Sequence, residues 1–350
     1  MFLRLSFLRL RCRCPIIIDT GVHFMMQWAL DLLYLIQQWR ETLGEGGIFI
    51  MNLISEYALT YTIALPMMVY WCFDKRAGYE IMMVITGGNT MNHVIKLTTC
   101  IERPWVLDSR ITPPEIAIKN QGGYSFPSGH TQIGTAYLGG TAHWLRSRNF
   151  KVLPALLWIA AVIVGFTRMF LGVHTIFDIA GGFLESVLMI FIASKVFDYA
   201  WKSEENLRKT VLTGLCISAL AVLYIMFKAY PVHYYPDGTM MTDPQDMIIY
   251  NAMGGLAGFL VGMWIEQKYI RFRTDVPAGQ KVFRFIIGGV LYALVNKYVP
   301  PICTQYMGIW PGSFIYNFLQ LLFPTAVYPF LFQRISFLGS GKEEHRTAAG

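Results

Sequence analysis

The sequence predicts an all-α, polytopic integral membrane protein, a helix bundle with about nine transmembrane helices. Hydrophobic residues make up 54% of its 350 residues, only 15% are charged, and the mean hydropathy is +0.42. Apolar runs near the length that crosses a bilayer, about 20 residues, recur along the whole chain. The alternative is a soluble protein with unusually apolar core helices, but such helices seldom run this far without a charge.

Each apolar run is expected to form one transmembrane span. The predicted spans are 48–73, 78–98, 129–147, 151–172, 175–199, 209–229, 247–265, 281–299 and 311–333. Because their number is odd, the two ends of the chain are predicted to lie on opposite sides of the membrane.

The distribution of basic residues predicts the orientation, since cytoplasmic loops carry an excess of Lys and Arg. Lys75 and Arg76 follow the first span, whereas the segments 230–246 and 300–312 on the other side contain no Lys or Arg. The exception is segment 99–128, which is assigned to the outer side although it holds three basic residues, Arg103, Arg110 and Lys119. The net charge of +7 therefore reflects topology, and no nucleic-acid partner is predicted.

The chain divides into three predicted parts. Residues 1–47 form an N-terminal segment, in which 1–24 are either unstructured or not translated, and 25–43 form a helix lying in the membrane interface. Residues 48–200 form a core with five transmembrane helices. Residues 201–350 form an extension with four transmembrane helices and a cytoplasmic tail.

Three polar clusters interrupt the apolar pattern at the ends of predicted spans. They are KLTTCIERPW at 96–105, PSGH at 127–130 and TRMFLGVHTIFD at 167–178. Each has an ordinary structural interpretation by itself: Lys96 as a snorkelling lysine, for example, or Ser128 as a helix cap. In the predicted topology, however, all three emerge on the same outer side and can meet in space.

Taken together, the clusters indicate a receptor for a tetrahedral dianion. Lys96, Arg103 and Arg168 would repel one another in a purely structural arrangement, but with a helix N-terminus they suit a phosphoryl group. His174 could be the nucleophile and Asp178, one helical turn later, could orient it. No cluster of carboxylates offers a magnesium site, so neither a metal ion nor a cofactor is predicted.

The spacing Lys-x6-Arg-Pro, Pro-Ser-Gly-His and Arg-x5-His-x3-Asp resembles the three signature motifs of the type 2 phosphatidic acid phosphatase superfamily, which includes the vanadium haloperoxidases. The resemblance implies that superfamily's helical core and a phosphohistidine intermediate. The implied catalytic residues are His174 as nucleophile, His130 as general acid and Asp178 as the group that orients His174. The implied phosphate-binding residues are Lys96, Arg103, Ser128, Gly129 and Arg168. One departure is Thr167, where the family usually has serine.

The layout beyond the motifs is similar to the glucose-6-phosphatase and sphingosine-1-phosphate phosphatase branches in the number and orientation of spans. The predicted function is a metal-independent membrane phosphatase that hydrolyses a phosphomonoester or pyrophosphate, such as a lipid phosphate or prenyl diphosphate. Its site is expected at the extracytoplasmic face of the plasma membrane, among membrane lipids. A sugar-phosphate phosphatase, a vanadate-dependent haloperoxidase and a non-enzymatic transporter are the alternatives, and the oligomeric state is left open.

Three further residue sets lie outside the motifs. Glu185 follows Asp178 by seven residues and points to the same side of its span, so it could pair with Lys96 or another buried cation beneath the site, but the sequence does not identify the partner. Trp105 directly follows Arg103 and Pro104 and could border a lipid or sugar moiety. Cys100 and Cys303 fall on the same predicted side and could pair, although the reading as small apolar residues is favoured.

Overall fold

The computed structural model describes residues 20–60, 63–118, 123–231 and 250–339. Predictions that concern residues 1–19, Lys119 or the tail beyond residue 339 lie outside the described residues. The described residues form helices and short connections, which confirms the predicted all-α class.

The helices are numbered along the chain. They are α1 (Thr20–Thr60), α2 (Ala64–Cys72), α3 (Lys75–Thr99), α4 (Pro104–Leu107), α5 (Glu115–Ile118), α6 (Gly129–Ser147), α7 (Val152–Phe170), α8 (Ile176–Ala200), α9 (Glu204–Phe227), α10 (Tyr250–Ile265), α11 (Ala278–Met307), α12 (Ile309–Leu322) and α13 (Tyr328–Leu331). A π-helical turn, Glu266–Ile270, extends α10, and a second, Phe323–Val327, joins α12 to α13.

Five stretches in the described part are long and apolar enough to cross a membrane: Val152–Phe170, Ile176–Ala200, Glu204–Phe227, Ala278–Met307 and Ile309–Leu331. Helices also lie at the other predicted positions, but α10 has only 16 residues, and α3 and α6 carry buried polar side chains. The protein is therefore a polytopic membrane protein, as predicted.

The N-terminal part departs from the prediction at one point. Helix α1 contains two helical segments that meet at a kink at Gly44, where the backbone φ of 59° favours glycine, and residues 25–43 belong to the first segment. The location of this segment in the membrane interface stays a prediction. The predicted span 48–73 is divided, because α1 ends at Thr60 and α2 begins at Ala64. An unbroken apolar run did not reveal this break, since hydropathy reports burial in lipid and not local backbone geometry.

Two of the three basic residues of segment 99–128, Arg103 and Arg110, lie among the described residues and have local explanations. Arg110 Nη2 binds Asp31 Oδ1 of α1 at 2.6 Å and Asp108 Oδ2 at 2.7 Å. Arg103 lies in the candidate site described below. These charges are therefore neutralised or used locally, which explains why the segment departs from the pattern of the other outer loops.

Helix α6 packs against α3, α7 and α8, α8 also packs against α3, and α1 lies along α7. Side-chain caps begin the two helices that enter this group at the site: Ser128 Oγ accepts from Thr131 N before α6, and Thr175 Oγ1 accepts from Asp178 N before α8. Since consecutive helices reverse direction, the end of α3, the start of α6, the end of α7 and the start of α8 lie at the same end of the bundle.

At the opposite end, side chains from both predicted parts share one core. The Trp71 indole donates to Pro324 O at 2.9 Å. The buried Glu266 carboxylate binds Lys75 Nζ at 3.0 Å and accepts from the Tyr79 hydroxyl at 2.7 Å. These contacts anchor the extension to the core, while the exact domain boundary near residue 200 stays a prediction.

The thiols of the described cysteines are free, including those of Cys100 and Cys303. The structure thus contains no disulfide between these two residues in the described part of the chain. Cys303 is buried inside α11, which agrees with its interpretation as a small apolar residue.

Candidate active site

The three sequence motifs meet at one end of the bundle. Arg103 Nη1 lies 3.0 Å from His174 Nε2, the amide N–H of Ser128 donates to Asp178 O at 2.9 Å, and Lys96 Nζ donates to Pro127 O at 2.7 Å. Residues of the first, second and third motifs are therefore in direct contact, as the sequence predicted.

His174 occupies the tight turn between α7 and α8 and is buried. Its Nδ1 lies 3.4 Å from Asp178 Oδ2, and the same carboxylate oxygen accepts the Thr175 N–H at 2.7 Å. The second contact belongs to the capping box that starts α8, so the helix start itself holds the carboxylate beside the imidazole. The predicted pairing of His174 with Asp178 is thus present in the structure.

Ser125 is a third member of this group, which the sequence interpretation did not single out. Its hydroxyl donates to Asp178 Oδ2 at 2.7 Å and lies 3.3 Å from His174 Nδ1. Ser125 is 1% exposed, so water does not compete for these bonds. Its position two residues before Pro127 in the YSFPSGH stretch is the signal that could have drawn attention to it.

The contact with Arg103 defines the tautomer of His174. A guanidinium only donates hydrogen bonds, so Nε2 must offer its lone pair to Arg103 and Nδ1 must carry the proton toward Ser125 and Asp178. Burial, with the nearby charges of Arg103, Lys96 and Arg168, lowers the pKa of His174 well below its ordinary value. The ring is therefore neutral at pH 7, as a nitrogen nucleophile requires.

The Arg103 guanidinium contacts two backbone carbonyl oxygens and lies beside an aromatic ring. Its Nε donates to Gly123 O at 2.8 Å, its Nη1 also lies 3.3 Å from Val173 O, and its guanidinium lies 5.8 Å from the Trp105 ring centroid. Burial lowers the pKa of Arg103 to about 10, so the group remains charged at neutral pH. Trp105 therefore lies beside a phosphate-binding candidate, and its contact with a lipid or sugar moiety stays a prediction.

Arg168 is fully buried near the end of α7. Its Nη1 donates to Ser55 Oγ of α1 at 2.5 Å. Its Nε and Nη2 are buried and have no hydrogen-bond partner among the described residues. Buried unpaired guanidinium donors are costly, and two on one edge form the fork that matches two oxygens of a phosphoryl group.

The Lys96 ammonium contacts loop carbonyl oxygens, whereas the sequence predicted it as a phosphate-binding group. Its ammonium donates to the carbonyl oxygens of Tyr124 at 3.0 Å, Ser125 at 3.1 Å and Pro127 at 2.7 Å. These bonds occupy all three of its donors, so Lys96 supplies positive charge and shapes the loop that carries Ser125. Direct binding of phosphate by Lys96 stays a prediction, and it would require one of these bonds to break.

Ser128, Gly129 and His130 form the N-terminal start of α6, as predicted. Ser128 is the cap, and the first N–H groups of a helix have no partner within the helix. His130 Nε2 is buried and has no hydrogen-bond partner among the described residues. Arg168 and His174 lie close enough to interact electrostatically with the His130 ring. The loop and helix start therefore add anion-binding groups beside His174.

Below the motifs, the hydrogen-bond partner of Glu185 is Asn92, and Lys96, the partner suggested by the sequence, interacts with this carboxylate only electrostatically. The amide of Asn92, on α3, donates to Glu185 Oε2 at 2.9 Å, and both residues are buried. Glu185 Oε1, Asn92 Oδ1 and both side-chain polar atoms of Gln132 have no partner in the described part of the chain. A buried polar layer thus lies between α3, α6 and α8 under the candidate site.

Thr167, the one departure from the family pattern, is buried and donates to Val164 O at 2.7 Å within its own helix.

No group of three His, Cys, Asp or Glu side chains that could hold a metal ion occurs among the described residues.

Two family models match the chain. Residues 77–202 match the model described as PAP2 superfamily, and residues 250–341 match the model described as PAP2 superfamily phosphatase, transmembrane extension. The first match contains all three motifs. Helix α1 lies before it and outside both matched ranges.

Similar curated proteins include two named phosphatases. Phosphatidylglycerophosphatase B of Bacillus subtilis (strain 168) is 28% identical over 127 residues, which cover 35% of this chain and 58% of that protein. Lipid phosphate phosphatase delta of Arabidopsis thaliana is 21% identical over 285 residues, which cover 77% of this chain and 64% of that protein. The chain thus spans less than two thirds of the length of each of these relatives. No solved structure gives a significant match.

Proposed function

Because the chain carries a PAP2 superfamily domain with its transmembrane extension, we propose that it is a membrane phosphatase that hydrolyses the phosphomonoester or pyrophosphate bond of a lipid. One observation carries this proposal: His174 has a carboxylate and a hydroxyl at Nδ1 and a guanidinium at Nε2. This arrangement presents a neutral nitrogen nucleophile beside fixed positive charge, as phosphoryl transfer requires.

In the first step, His174 Nε2 attacks phosphorus opposite the leaving oxygen. The N–P bond forms as the P–O bond breaks, and His130 gives its proton to the leaving oxygen. The imidazole of His174 becomes positively charged, and Asp178 and Ser125 stabilise it at Nδ1. The phosphoryl group takes the position toward which the Nε2 lone pair of His174 pointed. Arg103 therefore releases Nε2 and donates its hydrogen bond to an oxygen of the phosphoryl group.

In the second step, water attacks the phosphohistidine. Neutral His130 takes a proton from the water, the O–P bond forms, the N–P bond breaks, and His174 returns to its neutral state. Arg103, the free edge of Arg168 and the N-terminus of α6 neutralise the oxygens in both steps. No step calls for a metal ion, because these groups supply the positive charge.

A lipid substrate is favoured for two reasons. The site lies where helix ends meet, so a headgroup can reach His174 while an acyl or prenyl chain stays in the bilayer. The names of both relatives also denote phosphatases of phosphorylated lipids. The excess of basic residues at the opposite end of the bundle favours a site at the extracytoplasmic face, and we assign the protein to the plasma membrane.

The test is phosphate release by the purified protein in detergent with EDTA. Lipid monophosphates, prenyl diphosphates and sugar phosphates are compared at equal concentration, with wild type and His174→Ala. We expect release from a lipid substrate, loss of release in His174→Ala, and radiolabel from a labelled substrate trapped on wild type but not on the variant after quenching in alkaline detergent, because the N–P bond is labile to acid.

Three other outcomes would each contradict a different part of the proposal. A strict need for added magnesium would contradict the metal-independent mechanism, and release only from sugar phosphates would contradict the lipid assignment. Bromide oxidation by vanadate-loaded protein without phosphate release would instead identify a haloperoxidase.

A further inference from the structure

Helix α1 contributes a side chain to the candidate site although it lies outside both matched family ranges. Ser55 Oγ accepts a hydrogen bond from Arg168 Nη1 at 2.5 Å, and both residues are fully buried. The two residues are 113 positions apart in the sequence, so the contact depends on the packing of α1 along α7. A serine within an apolar run offered no signal of this contact.

The hydrogen bond to Ser55 leaves the edge of the Arg168 guanidinium formed by Nε and Nη2 available. A guanidinium donates from a planar fork, and its Nε and Nη2 point in the same direction. Since Nη1 is engaged by Ser55, Nε and Nη2 are the donors without a described partner. Two parallel donors on one edge can bind two phosphoryl oxygens at once, provided that the plane of the group does not rotate.

The surrounding face of α1 is also polar. Glu56, the next residue, interacts electrostatically with the Arg168 guanidinium. Asn52, one turn earlier, is 9% exposed, and its Oδ1 has no partner among the described residues. Polar side chains on a buried helix face inside a membrane protein are costly unless they serve a site or a contact.

We propose that Ser55 is a positioning residue that holds the Arg168 guanidinium so that its Nε and Nη2 edge receives two oxygens of the phosphoryl group. Helix α1 is then part of the phosphate site. This inference rests on the proposed phosphatase function for its kinetic readout, but not for its binding readout.

The test compares Ser55→Ala with Ser55→Thr. The alanine variant removes one acceptor and leaves the rest of α1 intact, whereas threonine keeps the hydroxyl. For Ser55→Ala we expect the inhibition constant of vanadate to rise about tenfold, in line with one lost hydrogen bond to a charged group. Ser55→Thr should restore most of the vanadate affinity.

A matched control is Ser218→Ala. Ser218 is buried too, and its hydroxyl donates to Met253 O at 2.9 Å between α9 and α10, away from the site. A merely structural role of Ser55 predicts similar effects in both alanine variants, namely a lower unfolding temperature with unchanged vanadate affinity. That outcome would overturn the proposal.

A double-mutant cycle tests whether Ser55 acts through Arg168. In an Arg168→Lys background the fork is absent, so Ser55→Ala should change vanadate binding by less than twofold, against about tenfold in wild type. Equal effects in the two backgrounds would contradict the positioning role.

Binding separates this inference from the function itself. Vanadate and inorganic phosphate are titrated against the purified protein, with the shift in unfolding temperature as readout, which needs no turnover. If wild type releases no phosphate from any substrate but binds vanadate more tightly than Ser55→Ala does, the proposed function fails and the inference stands. If substrates are hydrolysed and Ser55→Ala binds vanadate as wild type does, the function stands and the inference fails.

Discussion

Replacing Ser125 by alanine tests how the candidate nucleophile is oriented. The change removes a hydroxyl that donates to Asp178 Oδ2 at 2.7 Å and lies 3.3 Å from His174 Nδ1. Asp178 keeps its bond from the Thr175 N–H at 2.7 Å, so the carboxylate stays at the start of α8. The substitution therefore removes one of the two groups that orient the His174 imidazole and keeps the other, Asp178.

The magnitude follows from the kind of bond that is lost. A buried hydrogen bond to a charged acceptor contributes about 1.5–3 kcal/mol. If most of this appears in the transition state, where the His174 ring becomes positively charged, kcat falls by about 10-fold to 100-fold. Ser125 makes its described side-chain hydrogen bonds with Asp178 and His174 and not with the guanidinium groups proposed to bind phosphate, so KM should stay within about twofold of the wild-type value.

The assay measures phosphate release from a lipid monophosphate in detergent micelles, with kcat and KM determined separately. Ser186→Ala is the matched control, because Ser186 is equally buried but donates at 2.6 Å to the carbonyl of Gln132, inside α6. We expect that control to keep at least half of the wild-type kcat, while its unfolding temperature drops about as much as that of Ser125→Ala.

Two results would refute this reasoning. One is a Ser125→Ala enzyme with the wild-type kcat. The other is an equal loss of kcat in Ser125→Ala and Ser186→Ala, since that would reflect general destabilisation and not the orientation of His174.

Three further predictions concern stability and topology. Asn92→Leu should destabilise the fold by about 1–3 kcal/mol because it leaves the Glu185 carboxylate without its 2.9 Å partner; adding Glu185→Leu should recover most of the loss in an unfolding assay in detergent, and a further loss would count against the pairing. The folded state lowers the pKa of His174, so the neutral ring's contribution to stability is present above pH 6.5 and is lost as the pH falls below it. Between about pH 7 and pH 5 the unfolding temperature of wild type should therefore drop more than that of His174→Asn, and equal drops would contradict a lowered pKa. In a background without native cysteines, Glu115→Cys should react with a membrane-impermeant maleimide applied from outside, and Arg148→Cys only after permeabilisation; labelling of both from one side would contradict the topology.

Much of the fold was accessible from the sequence. Apolar runs of membrane-crossing length predicted most helices within a few residues, because hydropathy and length together determine which segments leave water. The end of α1 at Thr60, inside the predicted span 48–73, was missed, because hydropathy does not report local backbone geometry.

The candidate site was accessible in part. Motif spacing predicted that the cations, the histidines and Asp178 would meet, and the contacts of His174 with Arg103 and Asp178 agree. It assigned Lys96 only as a phosphate ligand, whereas its three donors bind loop carbonyls. The difference arises because a lysine pattern shows a charge, but not which acceptors surround it. The catalytic and phosphate-binding roles remain predictions for the experiments above.

The sequence by itself determined the chemical types and their order along the chain: membrane helices, three cationic and histidine-bearing motifs, and a carboxylate one turn after His174. Only the tertiary structure decided that Ser125 touches Asp178, that Ser55 of α1 holds Arg168, and that Asn92 is the partner of Glu185. These bonds join residues 53, 113 and 93 positions apart. Such contacts depend on the rotation and axial register of packed helices, and no local pattern of residues encodes that rotation.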